Sequence, residues 1–335
     1  MPQIAGAVNW KFEYRAVPFR RYLTATDTES VPLKTRLSPR DLLLTLAIVA
    51  LWGFSFVPIK IGLREMPPFA LAALRFFFAA FPLVFFIPRP QIPWRHIAGY
   101  GFAIGVCQFG LLFLGMRLGM PAGLSSLVIQ VQVFFTIGLA IAFLGDRLHA
   151  QNLLGAGIAT LGIVLLAAYK LIGGATSTLI GFALVLVAAF AWAVGNVVAK
   201  RAAGAHDADM FALVVWSSLV PPLPLAALSW LFEGGASSFA AVMLASALTW
   251  GCILFLAWGA TLFGFASWAG LMHRYPTGLI SPFALLIPVS GLASGAVFLG
   301  ESLAPMQAAG VLLILAGLVV NVYGVRAMNW LRRAF

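Results

Sequence analysis

Residues 121–162 read PAGLSSLVIQVQVFFTIGLAIAFLGDRLHAQNLLGAGIATLG, and residues 276–317 read PTGLISPFALLIPVSGLASGAVFLGESLAPMQAAGVLLILAG. The two stretches align without a gap at a constant offset of 155. Pro121 falls on Pro276, Gly123 on Gly278, Leu144 on Leu299, Gly145 on Gly300, Asp146 on Glu301, Leu148 on Leu303, Gly155 on Gly310 and Gly162 on Gly317. Each copy reads as a long apolar helix opened by proline, a short hairpin carrying one acid, and a second apolar helix. A second alignment, at an offset of 140, places Trp52 on Trp192 and Lys60 on Lys200, so the copy extends upstream by another helix.

Composition sets the solvent in which these helices fold. With 62% apolar and 9% charged residues, and runs of roughly 18 or more residues almost free of charge, the chain is a polytopic helical membrane protein and not a soluble globule. Residues 1–40 are polar and basic and lack the pattern of a cleaved signal, so they read as a cytoplasmic tail. The net charge of +11 is scattered over helix ends and the tail instead of forming one stripe, which argues against nucleic acid as a partner. Cys107 and Cys252 fall inside apolar runs and do not correspond under either offset, so they read as packing residues.

Hydropathy and turn residues give ten spans: 41–63, 68–87, 96–117, 121–143 and 150–169, then 178–200, 209–232, 245–271, 276–299 and 305–325. This divides the chain into a basic tail (1–40), a first five-helix repeat (41–170), a second (178–325) and a short C-terminal tail (326–335). With the N-terminus cytoplasmic, sixteen Lys and Arg fall on that side and four on the other, so both termini are expected inside. Five spans per copy is an odd number, so the second copy enters the membrane in the opposite orientation. The expected fold is all-α, with ten transmembrane helices as two inverted five-helix repeats. Duplication of this kind recurs in secondary transporters, whose two similar bundles can open to either side by exchanging conformations.

The chemistry-bearing residues are few. No phosphate-binding loop, no metal-ligand spacing and no nucleophile–base constellation is present, so no catalytic residue, metal or cofactor is expected. The ten acids lie in the tail, in loops or at span ends, which leaves no acid relay through the membrane. At 1.5 Å per residue, Trp52 lies roughly 16 Å into its span, Gln108 roughly 18 Å, and Gln130 and Gln132 roughly 14 to 16 Å. These side chains approach the midplane, and under the repeat the three glutamines are matched by Phe263, Leu285 and Ile287. The polar wall of a central cavity is therefore expected mainly from the first half. Gln130 and Gln132 stand about 200° apart on a helix, so only one can face a cavity squarely. Ser55 one turn from Trp52, Asn196 one turn from Trp192, and Trp216 complete the candidate solute path. Arg75, roughly 10 Å into the second span, either attracts a substrate carboxylate or caps backbone carbonyls at a broken helix. Intramembrane glutamines also serve as helix–helix hydrogen bonds, Lys60 and Lys200 as snorkelling cations, and the four histidines as interfacial residues.

The stretches LWGFSFVPIK (51–60), LRF (74–76), GMPAGLSSLVIQVQVFFT (119–136), LGDRLH (144–149), SPFALLIPVSGLASGAVFLGE (281–301) and GLVVNVYG (317–324) resemble the EamA-type transporters of the drug/metabolite superfamily. Within that group they resemble the bacterial O-acetylserine/cysteine exporters, over roughly residues 39–327. The resemblance implies a bacterial inner-membrane exporter that takes a small-molecule substrate through a central cavity. The expected activity is alternating-access efflux of small amino acids and metabolites of the cysteine/O-acetylserine kind. The 10 Trp and 28 Phe suggest, as a second reading, export of aromatic amino acids or drugs. A lipid-modifying enzyme is a remote third.

Overall fold

The computed structural model describes residues 37–144, 149–172, 176–205, 209–275 and 277–334. The basic tail to residue 36 and the hairpin acid Asp146 lie outside the described residues. Among the described residues, ten helices are long and apolar enough to cross a bilayer. They are α1 (Pro39–Glu65), α2 (Pro68–Phe85), α3 (Trp94–Arg117), α4 (Ala122–Leu144), α5 (Ala150–Tyr169), α6 (Thr178–Ala202), α7 (Met210–Phe232), α8 (Ala247–Met272), α9 (Pro282–Leu299) and α10 (Pro305–Tyr323). Successive helices alternate in direction and define two faces, and the connection from α7 to α8 carries a helix of its own, Ala236–Leu244. The amino face holds the start of α1 and the ends of α6 and α8; the far face holds the ends of α1, α3, α7 and α9. Helix α10 continues beyond its apolar span to Ala334, so the backbone expected to form a C-terminal tail extends the helix.

The repeats meet on a pseudo-twofold axis between α5 and α10, the most extensive helix pair. A Cβ on Gly155 would stand 2.6 Å from the Gly317 carbonyl oxygen, and one on Gly162 would stand 2.6 Å from that of Gly310. Gly155 corresponds to Gly310 and Gly162 to Gly317, so each glycine packs on the repeat partner of the other. Reciprocity of that kind is what a twofold axis produces. The glycines are required because any side chain would push the backbones apart.

Irregularities also come in pairs. Helix α1 breaks at Ser55, where Pro58 deprives the Phe54 carbonyl of its intrahelical partner. In α3 and α8 the middle turns are π-helical, over Phe102–Phe109 and Phe255–Phe263, and these stretches overlap under the 155 offset. Helices α4 and α9 are each interrupted by a 3-10 stretch, Ile129–Val131 and Ser281–Leu285. On the far-face side of that interruption α4 and α9 pack closely, with Gly123 and Ser126 against Gly291, Leu292 and Gly295. At the interruption Gln130 Nε2 donates to the Ala284 carbonyl at 3.4 Å. Beyond it, toward the amino face, Ile137, Ala140 and Ile141 of α4 line a cavity.

One apolar core, including Phe56, Leu71, Phe113, Leu127, Val185 and Leu256, binds the helices together. Large apolar side chains such as Phe85, Leu223, Phe232 and Leu244 point outward, as a lipid solvent requires.

Candidate functional site

The amino-face ends of α4 and α6 and the first turn of α5 enclose a cavity of about 380 Å³. Thr136, Ile137, Ala140, Ile141 and Leu144 of α4 face His149 and Asn152 on one side and Asn196, Val197 and Lys200 of α6 on the other. The polar part of this wall is cross-linked. Asn196 Nδ2 donates to Gln132 Oε1 at 2.8 Å and to Thr136 Oγ1 at 3.1 Å, while Thr136 Oγ1 donates to Gln132 Oε1 at 3.1 Å. Gln132 and Thr136 are one turn apart on α4, as Asn196 and Lys200 are on α6, so each helix presents a single polar stripe. The apolar remainder of the wall and this amide–hydroxyl cluster suit a small solute with polar and aliphatic parts. The cavity lies at the amino-face ends of α4 and α6.

The other candidate residues lie elsewhere. Trp52 is half-buried against α8: its indole N–H donates to the Ala260 carbonyl at 2.8 Å, and its ring packs on Phe265 and Trp268. Ser55 returns its hydroxyl to the Trp52 carbonyl at 2.6 Å and sits at the α1 break. Trp192 packs between two apolar clusters. Trp216 donates to the Ile87 carbonyl at 3.0 Å and meets Trp94 edge-on. Gln108 is 2% exposed within the π-helical turns of α3.

Arg75 is 4% exposed, and its guanidinium carbon lies 3.8 Å from the centroid of Phe109. It donates to Thr261 Oγ1 at 3.1 Å, whereas Nε has no hydrogen-bond partner and no carboxylate pairs with it among the described residues. Of the two roles read for Arg75, attraction of a substrate carboxylate or a cap on backbone carbonyls, the described contacts show neither: the guanidinium meets a hydroxyl, that of Thr261 on α8. Arg75 thereby ties α2 and α3 of one repeat to α8 of the other through a cation–π stack and one hydrogen bond.

Sequence reasoning passed over Thr136 and treated Lys200 and His149 as interfacial. The i, i+4 spacing from Gln132 to Thr136 and from Asn196 to Lys200 was the available signal.

Ten membrane-crossing helices in two inverted repeats define the class: a polytopic helical transporter. The chain belongs to the EamA-like transporter family, which it matches over residues 40–168 and 179–323. It is 43% identical over 297 residues to a probable amino-acid metabolite efflux pump of Salmonella typhimurium, covering 88% of this chain and 99% of that one. A protein of the same description from Escherichia coli strain K12 is 41% identical over 291 residues, covering 87% and 97%. A probable terminal-alkyne amino-acid exporter of Streptantibioticus cattleyicolor is 26% identical over 281 residues, covering 81% and 90%. A crystal structure with 20% identity superposes at a TM-score of 0.58 over 84% of this chain and 96% of that one, a likeness of fold.

Proposed function

We propose that this transporter exports small amino acids and related metabolites, cysteine and O-acetylserine among them, by loading them from the cytoplasm into the amino-face cavity. The observation that carries the reading is the pair Thr136 and Asn196 on the wall of a cavity of about 380 Å³, both hydrogen-bonded to Gln132. That volume lies near the lower end of the roughly 300–1,000 Å³ of drug-sized sites, which favours a small solute over a bulky drug. Its amides and hydroxyl can hydrogen-bond an ammonium, a carboxylate or an ester carbonyl. The printed descriptions of the relatives, efflux of amino-acid metabolites and export of an unusual amino acid, support the same direction.

The positive-inside bias supports a cytoplasmic amino face and therefore an inward-open state. Among the described residues every acid lies near a helix end, so the reading includes no membrane-embedded proton carrier and lets the solute's own outward gradient drive export.

Counterflow in proteoliposomes tests the assignment. Vesicles preloaded with unlabelled cysteine or O-acetylserine are expected to accelerate entry of labelled cysteine, and vesicles preloaded with phenylalanine or glucose are not. Equal stimulation by phenylalanine would move the assignment to a broad amino-acid carrier; no stimulation by any amino acid would remove the loading role of the cavity.

A further inference from the structure

Arg75 brings a charge into the apolar interior and leaves most of it unanswered. A guanidinium carries several N–H donors in a planar fork and stays charged. Buried in the middle turns of α2, Arg75 makes one hydrogen bond among the described residues, from Nη2 to Thr261 Oγ1, and its Nε–H meets no acceptor. The described acids all lie near helix ends, so none of them answers the charge. Inside a membrane protein such a cation is costly until an anion or water reaches it.

The surroundings select what can reach it. The flat face of the guanidinium is covered, with its carbon 3.8 Å from the centroid of Phe109 and 5.6 Å from that of Phe76. A polar ligand must therefore come to the edge of the fork. Nε and Nη2 share one edge, on which a carboxylate forms two parallel hydrogen bonds. Thr261 meets Nη2 with a single oxygen, whose own proton goes to the Leu256 carbonyl at 2.9 Å. One hydroxyl thus serves one donor of a two-donor edge, and Nε is the donor it does not reach.

Both partners of Arg75 belong to π-helical turns, Phe109 in α3 of the first repeat and Thr261 in α8 of the second. Such turns are rare in helices and concentrate at functional sites. The α8 stretch also gives the Ala260 carbonyl to the Trp52 indole, so α1 and α2 meet adjacent residues of one irregular stretch. On the α3 side, buried Gln108 precedes Phe109. Trp52, Arg75 and Gln108, separate candidates in the sequence, all belong to or touch these two stretches.

We propose that Arg75 binds the carboxylate of the transported amino acid, which takes the Nε–Nη2 edge and displaces the Thr261 hydroxyl. The site is shut in the conformation described, where Arg75 and Thr261 are both buried. Solute loaded from the amino face reaches it when the two π-helical stretches separate, and its carboxylate supplies the charge that the protein lacks there. The proposal rests on the reading above for the class of solute and adds the group by which that solute is recognised.

Melting of the purified protein in detergent, with and without solute, tests it. The probes are cysteine with cysteamine and phenylalanine with phenethylamine, pairs that differ by the carboxylate alone, and sodium chloride as a free anion. Cysteine is expected to raise the melting temperature by about 2 °C or more, as a ligand of the folded state does, and cysteamine is not. In Arg75→Met that shift should vanish, while the melting temperature without solute stays level or rises, because an unpaired buried cation has given way to an apolar side chain. A purely structural Arg75 would lower the melting temperature and leave the cysteine shift in place. Arg75→Lys keeps the charge without the fork and should bind cysteine about tenfold more weakly, which serves where Arg75→Met does not fold. Equal protection by cysteamine overturns the proposal, as does protection by chloride to which cysteine adds nothing, or no protection by either amino acid. Protection by phenylalanine alone, lost in Arg75→Met, would move the solute assignment and leave the carboxylate site standing. Protection by cysteine that survives both substitutions would do the reverse.

Discussion

The two membrane faces are built from the same repeated sequence and are held by different contacts. On the far face, three carboxylates cross between the repeats to a helix start, two from the second repeat and one from the first. Glu301 meets the Ala122 and Gly123 amides of α4, Glu233 accepts from the Phe69 and Ala70 amides of α2 at 2.9 and 3.3 Å, and Glu65 receives the Ser246 amide and hydroxyl at 2.8 and 2.9 Å. On the amino face the described acids are Asp41, which joins α1 to the end of α8, and Asp209, which caps its own helix α7 by accepting from the Phe211 and Ala212 amides. Helix starts offer unsatisfied amides that any acid within reach can occupy.

Removing the polar cluster of the amino face should have the largest effect on transport. Asn196→Leu leaves Gln132 and Thr136 without their cross-helix donor and puts an apolar side chain on the cavity wall. Counterflow is expected to fall tenfold or more while the amount of folded protein stays unchanged. A variant with normal counterflow would remove the cluster from the solute path and leave the amino face with a purely structural opening.

The effect of Asp41→Asn should be intermediate. The carboxylate holds the α8–α9 turn against α1 through Tyr275, Arg274 and its own N-cap partner Ser38, whose hydroxyl donates to it at 2.8 Å. Hydrogen bonds to a charged group are worth about 1.5–3 kcal/mol. Loss of part of that sum frees the turn from α1, so maleimide labelling of Ile137→Cys, with Cys107→Ala and Cys252→Ala as background, should slow by about three- to tenfold, on the usual conversion of free energy to populations. Faster labelling would mean that Asp41 favours the closed amino face.

Glu233 holds the far face without a repeat counterpart. Its carboxylate caps α2, yet residues 78–93, which include its counterparts at either offset, contain no acid. Glu233→Ala should cost about 1 kcal/mol, as loss of a helix cap does, and lower the melting temperature in detergent. The rate of labelling of Ile137→Cys should stay constant. A changed rate would couple Glu233 to the amino-face cavity.

How much of this was legible in the sequence depends on which physical signal each residue sends. Ten spans, two copies and their inversion could be read because hydropathy, span count and the paired glycines are chain-wide patterns. Gly155 and Gly162, matched to Gly310 and Gly317, announced the repeat, although their mutual packing needed three dimensions. The candidate site was legible only in part. Gln132 and Asn196 were singled out as polar residues in apolar helices, and the structure joins them directly and adds Thr136, an ordinary residue by composition. Trp52, Trp192 and Trp216 send the same sequence signal, yet their neighbours place them on carbonyls and in apolar clusters. Lys60 and Glu301 looked like interfacial charges because nothing local in sequence shows that a lysine will meet carbonyls 56 and 60 residues away, or a glutamate amides 179 and 178 residues away.

The smallest expected effect concerns Arg274 and follows from exposure. Its side chain is 47% exposed while that of Asp41 is 11% exposed, so the ion pair sits at the water boundary. Exposed pairs contribute about 0.2–1 kcal/mol and weaken as the Debye length contracts from about 10 Å at 0.1 M salt to about 3 Å at 1 M. The Tyr275–Asp41 bond is buried and carries no second formal charge for salt to screen. Arg274→Ala, or a rise in salt from about 0.1 to 1 M, should therefore slow labelling of Ile137→Cys by no more than about twofold. Tyr275→Phe should slow it more than either. If Arg274→Ala instead matched Asp41→Asn, the amino face would be held mainly by an exposed ion pair. It would then open and close with ionic strength, while the amide-bound carboxylates of the far face would not.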